Sequence, residues 1–108
     1  MVQLTLQGET EKYHGEKEGI YLYTESSPKG YWVHENGEYS LWWDQVAFRW
    51  VIGKVGKTKG TIFGSPNNDN LFRNKWTFLK EKRFRIGKSN LLDAGQYDIQ
   101  FISHQCWI

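Results

Sequence analysis

Short stretches in which apolar and polar residues alternate recur along the whole chain. Residues 2–7 alternate strictly, with Val2, Leu4 and Leu6 in phase and polar side chains between them, which is typical of a strand that buries one face. Further strand-like stretches follow at residues 20–25, 31–35, 38–43, 48–52, 61–63, 75–79, 83–86 and 96–102. Residues that favour turns separate them about every ten positions. The pattern predicts an all-β fold, a small sandwich or barrel of about eight to nine short, mostly antiparallel strands.

The most strongly patterned segment is 31–52, which holds four of the six tryptophans. Asn36-Gly37 lies at the centre of its first half, and this dipeptide favours a two-residue type I′ turn because both positions need a positive φ. Such a turn predicts a hairpin in which Tyr31 faces Trp42. The two faces of that hairpin are then Trp32, His34, Tyr39, Leu41 and Trp43 on one side, and Tyr31, Val33, Glu35, Glu38, Ser40 and Trp42 on the other. Because a surface hairpin needs only one apolar face, the second aromatic face is either covered by protein or used for binding.

The remaining segments predict connections of several kinds. Residues 8–19 are polar and charged, which indicates a loop. Residues 75–79 and 83–86 predict a second hairpin around Glu81-Lys82. The residues expected to point inward there are Trp76, Phe78, Phe84 and Ile86. Residues 89–95 are compatible with one helical turn that ends at Gly95, since glycine favours the position after a helix.

Length and cysteine content limit the class of protein. A chain of 108 residues predicts a single domain over residues 1–108. Cys106 is the only cysteine, so no intramolecular disulfide forms, and the N-terminal residues lack the apolar core of a signal peptide. We therefore expect a cytoplasmic protein, although a fragment of a secreted protein would have the same features. No apolar run is long enough to cross a membrane, and we expect a monomer or weak oligomer.

The motifs that suggest catalysis or a cofactor are all incomplete. The segment 53–58, Gly-Lys-Val-Gly-Lys-Thr, lacks the spacing and the following helix of a phosphate-binding loop. His34 or His104 could pair with Cys106 as a nucleophile, but a cysteine in an apolar tail more often packs as a small hydrophobe. Glu35 and Glu38 flank a turn, where water is not excluded from their carboxylates. The sequence predicts a non-catalytic protein with no metal site and no cofactor.

One series of aromatic motifs resembles a known kind of domain. It comprises Tyr21-Leu22-Tyr23, Gly30 to His34, Tyr39 to Trp43, Arg49 to Gly53, Ile62 to Ser65, Trp76 and Arg83-Phe84. This order resembles small aromatic-rich β-modules of multidomain proteins, in which a Tyr- or Trp-bearing hairpin precedes a Trp-Val-Ile-Gly strand. The resemblance covers about residues 19–88 and implies a binding or spacer unit.

Two binding hypotheses follow. In the first, an aromatic surface on the central hairpin binds a carbohydrate or a protein segment, because exposed rings stack on sugars and on aliphatic groups. Its candidate ligand-binding residues are Tyr21, Tyr23, Tyr31 and Trp42.

The second hypothesis follows from the charge distribution. Residues 1–53 carry four basic and eight acidic residues, a net −4, whereas residues 54–108 carry ten basic and four acidic residues, a net +6. This asymmetry indicates either attraction between the two halves or binding of nucleic acid or another polyanion. The candidate residues for the polyanion are Lys57, Lys59, Lys80, Arg83, Arg85 and Lys88.

Overall fold

The computed structural model describes residues 1–24, 29–81 and 91–104 of the chain. These residues form nine strands, one helix and one 3₁₀ turn. The strands are β1 (Val2–Leu6), β2 (Gly19–Thr24), β3 (Tyr31–His34), β4 (Tyr39–Asp44), β5 (Arg49–Lys54), β6 (Ile62–Phe63), β7 (Thr77–Leu79), β8 (Leu91–Asp93) and β9 (Ile99–Ser103). The helix α1 (Gly8–His14) and the 3₁₀ turn (Gly15–Lys17) both lie between β1 and β2.

All nine strands belong to one antiparallel sheet. Their order is β8-β7-β6-β5-β4-β3-β2-β1-β9, so the chain runs as a meander from β1 to β8 and then returns to pair β9 with β1. Strands twist relative to their neighbours, and the sheet curls into a half-barrel whose two edge strands are β8 and β9. The rings of Trp76 and Phe101 meet across the gap with their centroids 5.5 Å apart. The predicted all-β fold is confirmed.

The central hairpin has the predicted register but not the predicted turn. Tyr31 pairs with Trp42, as expected from the sequence. However, β3 ends at His34 and β4 begins at Tyr39, and Gly37 has a φ of +80° whereas Asn36 does not have a positive φ. The connection is a four-residue loop in which the Gly37 N–H donates to the His34 carbonyl at 2.7 Å. The type I′ prediction was wrong, because the Asn36 side chain instead accepts a hydrogen bond from the backbone of the residue after Gly37.

The inward face of the curled sheet carries the main hydrophobic core. Its fully buried aliphatic and aromatic side chains include Leu4, Leu6, Tyr21, Leu41, Ile52, Ile62 and Phe78. The outward face has a smaller cluster around Val51 and Phe63, with Trp42 packed against it. The loop after β5 folds back over this cluster, since a Cβ on Gly53 would lie 2.8 Å from the Gly60 Cα.

Helix α1 closes one end of the half-barrel, where a loop was predicted. Thr10 and His14 are fully buried, and the rings of Tyr13 and His14 contact Phe78. The His14 Nε2–H donates to the Leu79 carbonyl at 2.7 Å, since a carbonyl can only accept. A polar segment therefore enters the interior with its buried histidine hydrogen-bonded, although the buried Thr10 hydroxyl has no partner among the described residues. Apolar periodicity does not detect such a segment.

The described part of the C-terminal third differs from the prediction in one place. Residues 91–93 form β8, paired with β7, and not a helical turn, so that prediction was wrong. Trp76 and Phe78 are buried as predicted. The predicted second arm of this hairpin, with Phe84 and Ile86, lies outside the described residues.

Candidate binding site at the open end of the half-barrel

Four aromatic side chains form a continuous series at the end of the half-barrel opposite α1. The centroids of Tyr23 and Trp32 are 5.3 Å apart, those of Trp32 and Trp50 are 5.8 Å apart, and those of Trp50 and Trp43 are 5.6 Å apart. The interplanar angles are 72°, 65° and 79°, respectively. These edge-to-face contacts are the favoured geometry for aromatic pairs, so each ring fixes the orientation of the next. We call these four residues the aromatic series.

The sheet register explains why the aromatic series forms. Tyr23 pairs with Trp32, and Trp43 pairs with Trp50. All four lie in the inward phase of their strands, at strand ends on the side away from α1. Trp50 is only 3 % exposed, Trp32 and Trp43 are half-buried, and Tyr23 is 58 % exposed. The series therefore runs from the core to solvent.

The loop between β6 and β7 lies beside the aromatic series and is held in shape by asparagine side chains. The Asn74 side-chain oxygen accepts from the Ser65 N–H at 2.7 Å. The Asn74 amide group donates to the carbonyls of Asn68 and Asn70 at 3.0 and 3.1 Å. A single side chain thus joins both ends of the loop, which gives a segment without regular structure a defined shape.

Two contacts attach this loop to the sheet. The Trp50 Nε1–H donates to the Asp69 carbonyl at 3.0 Å. The Lys29 ammonium lies 3.1 Å from the Asp69 carboxylate and 5.1 Å from the centroid of the Trp43 ring. The Asp69 carboxylate is therefore held at the rim of the aromatic series, where its side chain is 66 % exposed.

Clefts open on both sides of Asp69. One has a volume of about 540 Å³ and is lined in part by Tyr23, Trp32, Trp50, Asp69, Asn70 and Phe72. The other has a volume of about 660 Å³ and is lined by Lys29, Trp43, Gln45, Phe48, Asn67 and Asp69. Partly exposed rings with a few polar groups are the usual lining of a small-ligand site.

Phe48 occupies an unusual backbone conformation at the rim of the second cleft. Its φ is +54°, and its side chain is 54 % exposed. The Asn67 N–H donates to its carbonyl at 2.6 Å. A positive φ at a bulky residue costs on the order of 1–3 kcal/mol. The loop between β6 and β7, through Asn67, thus holds Phe48 in a strained conformation. The exposed Phe48 ring lies beside the aromatic series.

The structure separates the four predicted ligand-binding residues. Tyr23 lies in the aromatic series. Tyr31 and Trp42 are opposed on the outward face, where both are half-buried. Tyr21 is fully buried, and its O–H donates to the Lys17 carbonyl at 2.6 Å. A ligand cannot reach Tyr21 in this structure, whereas ligand binding by the other three stays a prediction.

The hairpin pattern predicts Trp32 and Trp43 on the opposite face from Tyr31 and Trp42, the hairpin residues of the predicted site. Both side chains do point to the inward side of the sheet, as predicted. Because they lie at strand ends where the half-barrel is open, they are nevertheless partly exposed. The predicted site contains neither Trp50 nor Asp69. The sequence holds one signal for this site. Trp32, Trp43 and Trp50 belong to one segment, point to the same side of the sheet and lie next to strand ends.

The predicted polyanion site is only partly described. Lys57, Lys59 and Lys80 are exposed. The pairing of Ile62 with Phe78 places Lys80 opposite Gly60, next to Lys59, when the register is continued. Arg83, Arg85 and Lys88 lie outside the described residues.

The buried polar groups at the closed end form an internal network. The Lys17 ammonium lies 3.1 Å from His14 Nδ1 and 3.1 Å from a Glu16 carboxylate oxygen. Burial, followed by the negative charges of Tyr39 and Glu16, raises the pKa of Tyr21 far above its ordinary value. Burial, followed by neighbouring glutamates, also raises the pKa of Tyr39. These groups stabilise each other inside the protein, since the Lys17 side chain is only 3 % exposed.

The described side chains that suggested catalysis are either hydrogen-bonded within the protein or exposed to solvent. His34 Nε2–H donates to the Glu18 carbonyl at 2.8 Å, and its Nδ1 accepts from the Asn36 N–H at 3.0 Å. Glu35 and Glu38 are exposed at the hairpin loop. Cys106 lies outside the described residues.

The described residues contain neither a cluster of metal ligands nor a membrane-spanning helix. Within residues 1–24, 29–81 and 91–104, no group of three potential metal ligands comes together. In the same part of the chain, none of the helical segments has the length and apolar character needed to span a bilayer.

No protein-family model matches the chain, and comparison with curated proteins and with solved structures gives no significant match.

Proposed function

We propose that this chain is a non-catalytic binding module that binds a carbohydrate at the aromatic series. The observation that carries the proposal is the graded exposure of edge-to-face rings beside the cleft that contains Asp69 and Asn70. A sugar ring offers an apolar face that stacks on an aromatic side chain, and hydroxyls that both donate and accept hydrogen bonds. Carboxylate and amide groups at the rim supply matching partners.

The cleft supports a carbohydrate better than a charged ligand. The Asp69 carboxylate is already paired with Lys29, so the polar groups at the rim are close to neutral as a set. The rings are also fixed by one another and by the bond from Trp50 to the loop. A preformed site loses little conformational entropy when a ligand binds.

The test is a glycan array followed by titration of the best ligand, monitored by tryptophan fluorescence. Tyr23→Ala should weaken binding at least tenfold, because it removes the most exposed ring of the series. Tyr97→Ala is the matched control, since Tyr97 is 63 % exposed and does not line this cleft. The control should bind as the unmodified protein does.

A third variant distinguishes the two faces of the hairpin. If Tyr31→Ala abolishes binding and Tyr23→Ala does not, the ligand lies on the outward face and the proposed site is wrong. If the array gives no ligand but a library of peptides does, and the same Tyr23 dependence holds, the site binds a protein segment.

A second function is supported by one specific observation. Three exposed lysines, Lys57, Lys59 and Lys80, follow the C-terminal ends of β5 and β7. Binding of nucleic acid or another polyanion there should fall steeply as salt is raised, because counterions are released on binding. The assay is fluorescence anisotropy with a labelled oligonucleotide at two salt concentrations. Lys57→Glu combined with Lys80→Glu should remove binding, and binding that is insensitive to salt would exclude this function.

A further inference from the structure

Within the part of the chain that the structure describes, the edge strand β9 has main-chain groups that no other strand satisfies. The Gln7 N–H donates to the Asp98 carbonyl, and the His104 N–H donates to the Met1 carbonyl. These bonds fix which residues of β9 face β1, because hydrogen-bonded residues alternate along an antiparallel pair. The N–H and C=O groups of Gln100 and Ile102 therefore point towards β1. Ile99, Phe101 and Ser103 point their N–H and C=O groups away from β1, and no partner for these groups is found in the described part of the chain.

These free groups are notable because two of the residues are buried. Ile99 is 5 % exposed and Phe101 is 7 % exposed. Polar main-chain groups at buried positions are normally hydrogen-bonded, and those without a protein partner bind water or a ligand. A free strand edge is also a template for pairing with another extended chain.

A groove lies along this edge. It has a volume of about 630 Å³, and its walls include Ile99 and Phe101 on one side and Arg73, Asn74 and Lys75 on the other. No residue of β1 lines it, so it lies on the unpaired side of β9. Among residues 1–24, 29–81 and 91–104, the gap in the half-barrel thus leaves an opening where a strand would complete the pairing of β9.

The charge of the groove indicates what would enter it. Arg73 and Lys75 contribute two positive charges, and none of its described lining residues is acidic. Exposed rings of Phe72 and Tyr97 flank it, at 51 % and 63 % exposure. A second copy of this chain would bring an identical basic wall to the contact, because a two-fold interface joins the same surface to itself. Like charges would then oppose the pairing.

We propose that β9 binds an extended, acidic segment of a partner protein as an added strand. The main-chain groups of Ile99 and Phe101 supply the hydrogen bonds, and the basic wall selects acidic side chains. This is the recognition mode known as β-strand addition, in which the backbone gives affinity and the side chains give specificity. The site is separate from the aromatic series, so it does not depend on the proposed carbohydrate function.

The test uses the synthetic peptide acetyl-Asp-Val-Glu-Val-Glu-Val-Asp-amide and the ¹⁵N-labelled full chain. In the free protein, the amides of Ile99 and Phe101 should exchange with solvent faster than those of Gln100 and Ile102. Bound peptide should slow exchange at Ile99 and Phe101 at least tenfold and leave Gln100 and Ile102 unchanged. Binding without this alternating protection would overturn the proposal.

Two matched pairs of controls separate strand addition from attraction of charge alone. One peptide carries N-methyl groups on its valine amides and the other on its acidic residues. Since alternate residues of a strand face the same side, only one of the two should still bind, and equal binding by both would contradict the inference. Arg73→Glu with Lys75→Glu should weaken binding at least tenfold, whereas Lys54→Glu with Lys57→Glu should not.

Self-association is the remaining outcome. If protection at Ile99 and Phe101 rises with protein concentration in the absence of peptide, the edge pairs with a second copy. Sedimentation velocity would then show a dimer, and the acidic partner would be excluded.

Discussion

The hydroxyl of Tyr21 gives a direct test of how the closed end is built. Its side chain is fully buried, and its O–H donates to the Lys17 carbonyl at 2.6 Å. Burial, together with the nearby charges of Tyr39 and Glu16, raises its pKa above the ordinary value of 10.0. The folded protein therefore keeps this proton under alkaline conditions in which the unfolded chain releases it.

The effect on stability follows from the sign of this shift. Below pH 10 the phenol of Tyr21 is protonated in both states, so its contribution to stability is fully present. Above pH 10 the unfolded chain loses the proton, and stability falls by about 1.4 kcal/mol per pH unit until the folded pKa is reached. Tyr21→Phe removes this ionisation. It also removes the hydrogen bond to the Lys17 carbonyl, which we expect to cost about 1–3 kcal/mol at pH 7.

These two effects act in opposite directions at high pH. The free energy of unfolding lost in Tyr21→Phe should be about 1.4 kcal/mol smaller at pH 11 than at pH 7. Urea denaturation at the two pH values, followed by tryptophan fluorescence, measures the difference. Tyr97→Phe is the control, because Tyr97 is 63 % exposed, and this variant should change stability by less than about 0.5 kcal/mol at either pH. If Tyr21→Phe costs the same at both pH values, the reasoning about a buried, neutral phenol is refuted.

Three further substitutions test the backbone and the binding site, each by urea denaturation. Gly60→Ala should cost about 2–3 kcal/mol, because its Cβ would lie 2.5 Å from the Ile52 carbonyl oxygen and overpacking of this kind is destabilising; a cost below about 1 kcal/mol would contradict the close approach of the loop. Gly37→Ala should cost only about 1 kcal/mol, since its φ is +80° but nothing lies within 4 Å of the added Cβ. Trp50→Phe should cost about 2–3 kcal/mol through the lost side-chain volume and the lost hydrogen bond to the Asp69 carbonyl. The same variant should weaken ligand binding, and unchanged affinity would show that the loop keeps its position without this bond.

The hairpin register was predictable because paired residues lie at equal distances in sequence from the centre of the loop. This relation does not depend on the conformation of the turn. Any symmetric loop around Asn36-Gly37 pairs Tyr31 with Trp42. The turn type depends on local competition, and here the Asn36 side chain accepts from the Glu38 N–H at 2.8 Å. This bond favours a wider loop, so the residues that centre a hairpin need not adopt the conformation that makes them frequent there.

The helix α1 was not predictable from apolar periodicity. The segment Gly8–His14 contains Glu9, Glu11 and Lys12 but no aliphatic residue. Its buried side chains are a threonine and a histidine, and the histidine bonds to Leu79, which is 65 residues distant. Such a partner is fixed only by the tertiary fold, so the tertiary contacts and not the local pattern stabilise this helix.

The binding site illustrates what alternation predicts and what it leaves open. Alternation assigns Trp32, Leu41 and Trp43 to one side of the sheet, and the structure agrees. It does not distinguish the two ends of that side. At one end α1 covers the inward residues and makes them core, and at the other end the aromatic series meets solvent beside a loop fixed by Asp69. That loop reaches Trp50 through a hydrogen bond across 19 positions of sequence. The difference between core and site therefore arises from which end of the half-barrel is covered, and that is decided by long-range contacts of polar residues.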